Sequence, residues 1–277
     1  MNRSSEHEII IEKGVRFGQY WAELWQYREL FAFLAWRDIL VRYKQTAIGI
    51  AWSVMRPLLT MIVFTIVFGK IAKLPSDNVP YPIMVYAAML PWQLFANSLS
   101  ESSNSLVTNT NLITKVYFPR LVIPASSVIT SLVDFAISSV ILAVLMGWYK
   151  FVPGWRIITV PIFLCLTLVT SLGFGLWLSA LNVKYRDFKY VIPFLVQFGL
   201  FISPVGFSSN VVPEQWRFAY SLNPMVGVIE GFRWALLGSD ARFLMSGVIV
   251  SVTLSFAILV SGFFFFRKTE RTFADVI

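Results

Sequence analysis

Residues 121–147 have the sequence LVIPASSVITSLVDFAISSVILAVLMG, in which Asp134 is the only charged side chain. A helix of about 20 mainly apolar residues is long enough to cross the hydrocarbon core of a bilayer. Comparable runs occupy residues 48–69, 157–182 and 244–266, and weaker ones occupy residues 81–105 and 191–207. The sequence therefore predicts an all-α polytopic membrane protein with six transmembrane helices.

The composition agrees with this class, because 57% of the residues are hydrophobic and the mean hydropathy is +0.68. Little chain remains outside the apolar runs. We expect a cytoplasmic N-terminus over residues 1–47, one transmembrane domain over 48–266 and a cytoplasmic tail over 267–277. Residues 1–47 lack the short apolar core of a secretory signal, so no signal peptide is expected.

The net charge of +8 has two interpretations. It could attract anionic substrates or lipids, or it could reflect the cytoplasmic excess of Lys and Arg found in membrane proteins. With six spans, both termini lie on one side, and segments on that side carry 15 of the 23 Lys and Arg residues. This distribution predicts that both termini lie in the cytoplasm.

Several function classes are disfavoured by what the sequence contains. His7 is the only histidine and Cys165 the only cysteine, so we expect no metal site, no histidine-based catalytic triad and no intrachain disulfide. There is no G-x-x-x-x-G-K-[ST] phosphate loop, and we therefore expect no ATP hydrolysis by this chain alone. A membrane enzyme needs clustered catalytic groups, whereas the carboxylates Glu101, Asp134, Asp187 and Glu230 are scattered.

Residues 17–35 predict an amphipathic helix on which Trp21, Trp25 and Leu34 share a face. Such a helix lies in the membrane interface with its aromatic side chains towards the lipid. Packing against a soluble partner is the alternative.

A basic strip follows this helix. Arg37, Arg42 and Lys44 precede the first span, with Asp38 as the local acid, and Arg56 lies eight residues into that span. These four side chains are candidates to bind lipid headgroups or a pyrophosphate, at about 1 kcal/mol per basic residue near an anionic surface. A plain positive-inside anchor explains the strip equally well.

The second span carries a polar stripe, because Asn97, Glu101 and Asn104 fall on one helical face. Lipid cannot satisfy such side chains, so they must face protein or water. They line a hydrophilic path, or they form interhelical hydrogen bonds at a helix end. Asp134 also needs a partner, which the sequence does not identify.

The fifth span is short and is predicted to be broken by Pro193, Gly199 and Pro204, as in transport pathways. It carries a row of aromatic side chains on one face. Five phenylalanines are candidates to line a substrate path, with ordinary packing as the alternative. They are Phe64 and Phe68 of the first span and Phe194, Phe198 and Phe201 of the fifth.

The segment between the fifth and sixth spans, residues 208–244, predicts re-entrant or surface-lying outer helices. Asn223 is a helix cap and Pro224 belongs to the first turn of the helix that follows. Glu230 and Arg233 are spaced to form an i,i+3 ion pair.

Four blocks of the chain, taken in order, resemble the membrane subunits of type-2 ABC exporters, and in particular the permeases that export O-antigen, capsule and teichoic-acid polysaccharides. The blocks are WRDILVRYKQTAIGIAWSVMRPLL, LPWQLFANSLSESSNSLVTNTNLITKVYFPRLVIP, KYRDFKYVIPFLVQFGLFISPVGF and LNPMVGVIEGFRWALLG. The resemblance runs from about residue 20 to residue 266.

This resemblance implies a permease that pairs with a second copy of itself and with two separate ABC ATPases, which bind ATP and Mg²⁺. It implies that the first and fifth spans line the channel and that residues 213–237 form an outer gate including Asn223, Pro224, Glu230 and Arg233. It also implies two cytoplasmic regions in contact with the ATPases, with these residues: Asn111, Leu112, Lys115, Tyr117, Arg120, Tyr185, Arg186 and Asp187.

The function expected from the sequence is therefore that of a transport subunit moving a lipid-linked glycan in contact with membrane lipids, with no nucleic-acid partner. The main alternative is an ABC exporter of a drug or a lipid. A membrane enzyme acting on lipid-linked sugars and a purely structural scaffold are further alternatives.

Overall fold

A computed structural model describes residues 17–44, 47–76, 79–238 and 244–273, and every regular element within these ranges is helical. His7 and the last four residues of the predicted tail lie outside the described residues. The α-helices are α1 (Phe17–Gln26), α2 (Arg28–Tyr43), α3 (Ala47–Phe64), α4 (Tyr81–Thr108), α5 (Thr110–Lys115), α6 (Val122–Trp148), α7 (Val160–Lys184), α8 (Phe188–Ile202), α9 (Glu214–Ser221), α10 (Pro224–Leu237) and α11 (Leu244–Thr269).

Four helical stretches are long and apolar enough to cross a membrane: Val54–Ile71, Val122–Trp148, Trp155–Lys184 and Gly247–Thr269. They coincide with the four stronger predicted spans. The two weaker predictions correspond to α4, which is long but rich in polar residues, and to α8, which has only 15 residues.

Helix α4 occupies the centre of the bundle. It packs against α3, α6, α7, α8 and α10, and 19 of its 28 residues are buried. Because α4 is surrounded by protein rather than lipid, its polar side chains find partners within the bundle. Asn97 and Asn104 bond to α6 and α7, whereas Ser103 and Ser105 donate to backbone carbonyls of α4 itself. This central position explains why the second span carries so many polar residues.

The bundle has a second hydrophobic core, which lies at the end of α4 near Leu106. It joins α1 and α2 to α5, to the start of α6 and to the ends of α7 and α11. Tyr20, Phe118 and Phe273 are buried in it. This core, defined here as the α1-end core, fixes the short N-terminal helices to the bundle.

Several predicted boundaries need correction. The amphipathic helix predicted over residues 17–35 is two helices, because the backbone bends at Tyr27, where ψ is 16°. The predicted loop of residues 109–120 contains the short helix α5. The predicted tail begins inside α11, since that helix continues to Thr269.

The predicted interruption of the fifth span is wrong in its position. Helix α8 runs through Pro193 and Gly199 without a break and ends at Ile202, before Pro204. A proline inside a helix removes one backbone hydrogen bond, and packing of the helix can compensate for this loss. The irregularity lies in the first span instead, where α3 continues as a π-helix over Thr65–Ile71.

Candidate functional site

A cavity of about 680 Å³ lies between α2, α3, α4, α6 and α8. Its polar lining includes Arg42 and Tyr43 from α2, Arg56 from α3, Asn97 from α4 and Asp134 from α6. Its apolar lining comes largely from α8 and α4, and includes Met89, Leu90, Trp92, Pro193, Val196, Leu200 and Phe201. The cavity therefore joins a charged region to an apolar wall, as an amphiphilic ligand would require.

Asp134 is the centre of the charged region, and its partners lie far away in the sequence. The Arg42 guanidinium lies 2.8 Å from one carboxylate oxygen, and the Asn97 amide donates to the same oxygen at 3.3 Å. The Tyr43 hydroxyl donates to the other oxygen. Asp134 is 7% exposed, so these contacts compensate for a carboxylate that would otherwise be costly to bury.

Arg42 has a second carboxylate partner, Glu101 on α4, at 3.2 Å. One arginine of α2 thus connects the two central helices α4 and α6. The two pairs differ in exposure, since the side chain of Glu101 is 49% exposed and that of Asp134 is 10% exposed.

The three residues of the polar stripe on α4 contact three different helices. Asn97 reaches Asp134 on α6 and lines the cavity, while Glu101 reaches Arg42 on α2. Asn104 accepts a hydrogen bond from the Asn182 amide of α7 at 3.1 Å. Among the three, only Asn97 combines an interhelical contact with a place in the cavity lining.

Of the four residues in the predicted basic strip, two line the cavity and two lie outside it. Arg37 pairs with Asp38 at 2.7 Å and donates to the Asn109 side chain at 2.8 Å, away from the cavity. Lys44 is exposed at the end of α2. Arg42 and Arg56 line the cavity, and Arg56 makes no side-chain ion pair with any residue that the structure describes.

The five candidate phenylalanines form two groups. Phe64 is buried, with Phe68 edge-on at 5.3 Å and Phe201 at 6.3 Å between ring centroids. Phe194 and Phe198 stack on each other at 5.8 Å and are more than half exposed on the surface of α8. Phe201 belongs to the first group through its contact with Phe64, and it is the member of the five that is both exposed and part of the cavity lining.

Two exposed segments meet the α1-end core. In the first, Ile113 and Phe118 are buried, which turns Asn111, Lys115 and Tyr117 outward. The remaining residues predicted in that segment, Leu112 and Arg120, are half-buried. In the second segment, which follows the buried Val183, the exposed residues are Tyr185, Arg186 and Asp187.

Three of the four residues predicted for an outer gate, Asn223, Glu230 and Arg233, form hydrogen bonds with the segment after α8. The Arg233 guanidinium is buried and donates to the backbone carbonyls of Val205 at 3.1 Å and Phe207 at 2.8 Å. It also pairs with Glu230 at 3.2 Å, which confirms the predicted ion pair. The predicted cap is confirmed too, since the Asn223 side chain accepts from Met225 N at 3.0 Å and Pro224 begins α10.

Burial affects the tyrosines near these sites. It raises the pKa of Tyr43, and the hydrogen bond to Asp134 adds to the increase. Burial also raises the pKa of Tyr20 in α1, with Glu270 as the next cause. The pKa of Tyr220 in α9 is raised by burial and by Glu230. All three hydroxyls therefore keep their protons to a higher pH than an ordinary tyrosine does.

Sequence reasoning missed several cavity residues. Gln93 lies four residues before Asn97, so the same helical spacing could have extended the polar stripe to it. Gln197 is a polar residue within the apolar α8 and could have been noticed for that reason. Tyr43 had no such signal, because its role depends on a contact with α6 that is 91 residues away.

Comparison with known proteins places this fold in a family context. A family model described as ABC-2 type transporter matches residues 29–237. An O-antigen export system permease protein RfbA of Myxococcus xanthus is 30% identical over 261 residues, covering 92% of this chain and 98% of the relative. An RfbA permease of Klebsiella pneumoniae is 24% identical, covering 90% and 95%. The polysialic acid transport protein KpsM of Escherichia coli is 20% identical, covering 85% and 91%.

Proposed function

The chain belongs to the ABC-2 type transporter family, and we propose that it is the permease subunit of an ATP-driven exporter of lipid-linked polysaccharide. The cargo would be a glycan of the O-antigen, capsule or teichoic-acid type, carried across the cytoplasmic membrane of a bacterium. The observation that carries the proposal is the similarity, along nearly the whole chain, to permeases named for O-antigen export. That similarity favours polysaccharide over the drug or lipid alternative.

We propose six spans, formed by α3, α4, α6, α7, α8 and α11, with both termini in the cytoplasm. In this arrangement α9 and α10 are re-entrant helices at the outer surface, and Arg233 and Glu230 hold the turn that closes the path. The excess of Lys and Arg on the α1 side supports the orientation.

The functional unit would contain a second copy of this chain and two ABC ATPases that bind ATP and Mg²⁺. Helices α3 and α8 support the pairing, because both expose large apolar side chains that lipid or another copy must cover. In such a pair Phe194, Phe198 and Phe201 would face the path between the copies. Stiff aromatic surfaces can contact many sugar rings weakly, which suits conduction better than one tight site.

The cavity supports a specific place for the lipid-linked end of the cargo. Arg56 and Arg42 would meet the pyrophosphate, with Arg37 and Lys44 adding attraction at the surface. Asp134 and Glu101 hold Arg42 when no anion is bound, so the phosphate would compete with two carboxylates. The apolar wall formed by Val196, Leu200 and Phe201 of α8 would accept the first units of the lipid chain.

ATP-driven closure of the two ATPases would act through the exposed segments around Lys115 and Tyr117 and around Arg186. Movement of these segments would open a path between the permease copies. No chemical step is assigned to this chain, since transport requires only binding and conformational change.

The test is a deletion strain complemented by variants of this chain. Surface glycan and lipid-linked glycan inside the cell are quantified in the same cultures. We expect the deletion to leave the surface bare with glycan trapped inside, and wild type to restore export. Arg56→Gln should restore it only in part at normal protein abundance, whereas Lys150→Gln, at an exposed cation between α6 and α7 and outside the proposed gate, should restore it fully.

Normal surface glycan in the deletion strain, without internal accumulation, would refute polysaccharide export, provided that no second permease is present. Full export by Arg56→Gln combined with Arg42→Gln would refute only the pyrophosphate part of the proposal.

A further inference from the structure

The described chain ends in a short segment that continues α11 into the α1-end core. After α11, residues Glu270–Thr272 form one 3₁₀ turn, and Phe273 follows. Phe273 is fully buried in the α1-end core, with its ring edge-on to Phe266 at 5.4 Å. We define residues 270–273 as the terminal hook.

The terminal hook contacts two elements that are far away in the sequence. The Tyr20 hydroxyl of α1 donates to a Glu270 carboxylate oxygen at 3.3 Å. The Arg120 guanidinium donates to the backbone carbonyl of Glu270 and lies 6.0 Å from the centre of the Phe273 ring. One short segment thus joins α1 to the loop of residues 116–121.

Further contacts fix α1 on the end of α11. The Arg267 guanidinium lies 4.6 Å from the centre of the Tyr20 ring, and the indole of Trp21 stacks on Phe263 at 5.6 Å. Tyr20 is 4% exposed, so its hydroxyl is enclosed with Glu270 as its acceptor.

The loop joined to the terminal hook has an inner and an outer side. Phe118 and Leu121 are buried in the same core as Phe273, whereas Val116 and Tyr117 are more than half exposed. The Tyr27 hydroxyl also donates to the Tyr117 carbonyl at 3.4 Å. The terminal hook and the N-terminal helices therefore hold the inner side and leave the outer side available to another protein.

We propose that the terminal hook is a positioning element for ATPase docking, and this rests on the proposed function. Glu270 and Phe273 need not touch the ATPase. They hold Arg120 and Tyr20 so that the loop of residues 116–121 presents a preformed surface. When only a fraction of the molecules has the competent loop conformation, the apparent affinity falls by that fraction. Releasing the terminal hook should therefore weaken docking without unfolding the bundle.

The experiment uses the full chain in lipid nanodiscs with its co-expressed cognate ABC ATPase. One variant ends after Thr269, and the matched control ends after Phe273, which keeps every contact named above. Tyr20→Phe, which removes only the hydroxyl bound to Glu270, and Phe273→Leu are milder variants that keep the fold if the truncation does not. Three quantities are measured: the Kd for the ATPase, the hydrogen exchange of residues 109–121 and the melting temperature.

We expect the chain ending after Thr269 to bind the ATPase about tenfold more weakly, as would follow if one molecule in ten held the competent conformation. Exchange of residues 109–121 should become faster in the same variant and, to a smaller degree, in the two point variants. The control ending after Phe273 should match wild type. A purely structural role would lower the melting temperature and raise exchange throughout the bundle.

Wild-type docking by the chain ending after Thr269 would overturn the proposal. Uniformly faster exchange in Phe273→Leu and Tyr20→Phe, without a selective effect on residues 109–121, would overturn it as well. Failure of the wild-type chain to bind any ABC ATPase would instead refute the proposed function, and the proposal with it.

Discussion

Arg42 forms ion pairs with two carboxylates, so the strengths of the two pairs can be compared in the same protein. Its guanidinium lies 3.2 Å from Glu101 and 2.8 Å from Asp134. Breaking a buried ion pair by removing one partner costs about 3–5 kcal/mol, whereas exposed pairs contribute about 0–1 kcal/mol. The side chain of Asp134 is 10% exposed and that of Glu101 is 49% exposed, so the two pairs belong to different classes.

We therefore expect different coupling energies from two double-mutant cycles. The cycle of Arg42→Gln with Asp134→Asn should give about 2–4 kcal/mol, below the full buried value because a third of Arg42 remains exposed. The cycle of Arg42→Gln with Glu101→Gln should give less than about 1 kcal/mol. Both acid substitutions keep the shape of the side chain, so each removes charge with little change in packing.

The free energy of unfolding can be measured in mixed micelles by titration with dodecyl sulfate, with tryptophan fluorescence as the signal. Asp134→Asn should also lower the stability more than Glu101→Gln in the wild-type background. A Glu101 coupling energy equal to or larger than that of Asp134 would refute the assignment of Asp134 as the dominant partner of α2.

Three further predictions use the same unfolding assay. Arg233→Gln should cost about 3–5 kcal/mol, because it leaves Glu230 and the carbonyls of Val205 and Phe207 without their buried donor. The control is Lys150→Gln at an exposed lysine, which should change the stability by less than about 0.5 kcal/mol, and equal costs would contradict the assignment. Gly231→Ala should cost about 1–3 kcal/mol, because its new Cβ would overlap the Phe163 ring. Gly147→Ala, with open space around it, should cost nothing, and a neutral Gly231→Ala would show that α10 and α7 can separate freely. The pKa of Tyr20 is raised in the folded state above its ordinary value of 10.0, so the unfolded chain loses this proton first as the pH rises. The stabilisation is therefore present below pH 10 and is lost as the pH rises above it. Tyr20→Phe should reduce this alkaline loss of stability relative to wild type, and unchanged pH profiles would contradict the burial of the hydroxyl.

The long helices could be predicted from the sequence because hydropathy reports burial in lipid directly. The third predicted span, residues 121–147, differs from α6 by one residue at each end. The cap at Asn223 and the Glu230–Arg233 pair were also predictable, since both depend on spacing within one helix. Local rules are sufficient for such features.

The cavity was not predictable in the same way. Helical spacing shows that Asn97 and Glu101 share a face of α4, but it does not say which helix faces them. Asp134 finds Arg42 and Tyr43 on α2, about 90 residues earlier, because α2 packs along α6. The bend at Tyr27 that begins α2 has no proline or glycine to signal it.

Helix α2 physically connects the cavity to the segment of residues 109–121, the two regions that the proposed transport mechanism involves. Arg42 reaches the cavity, while Arg37 lies five residues earlier and so about 7.5 Å along the axis. Arg37 donates to Asn109, at the start of the segment of residues 109–121 that we propose faces the ATPase. Because a helix with intact backbone hydrogen bonds moves as a unit, a displacement of α2 that strains Arg37–Asn109 also strains Arg42–Asp134. An anion that draws Arg42 away from its two carboxylates would therefore loosen the attachment of α2 at the cavity, and the cost of moving the ATPase-facing segment would fall. Binding of cargo and the movement driven by ATP would then favour each other, as reciprocal coupling between two sites requires.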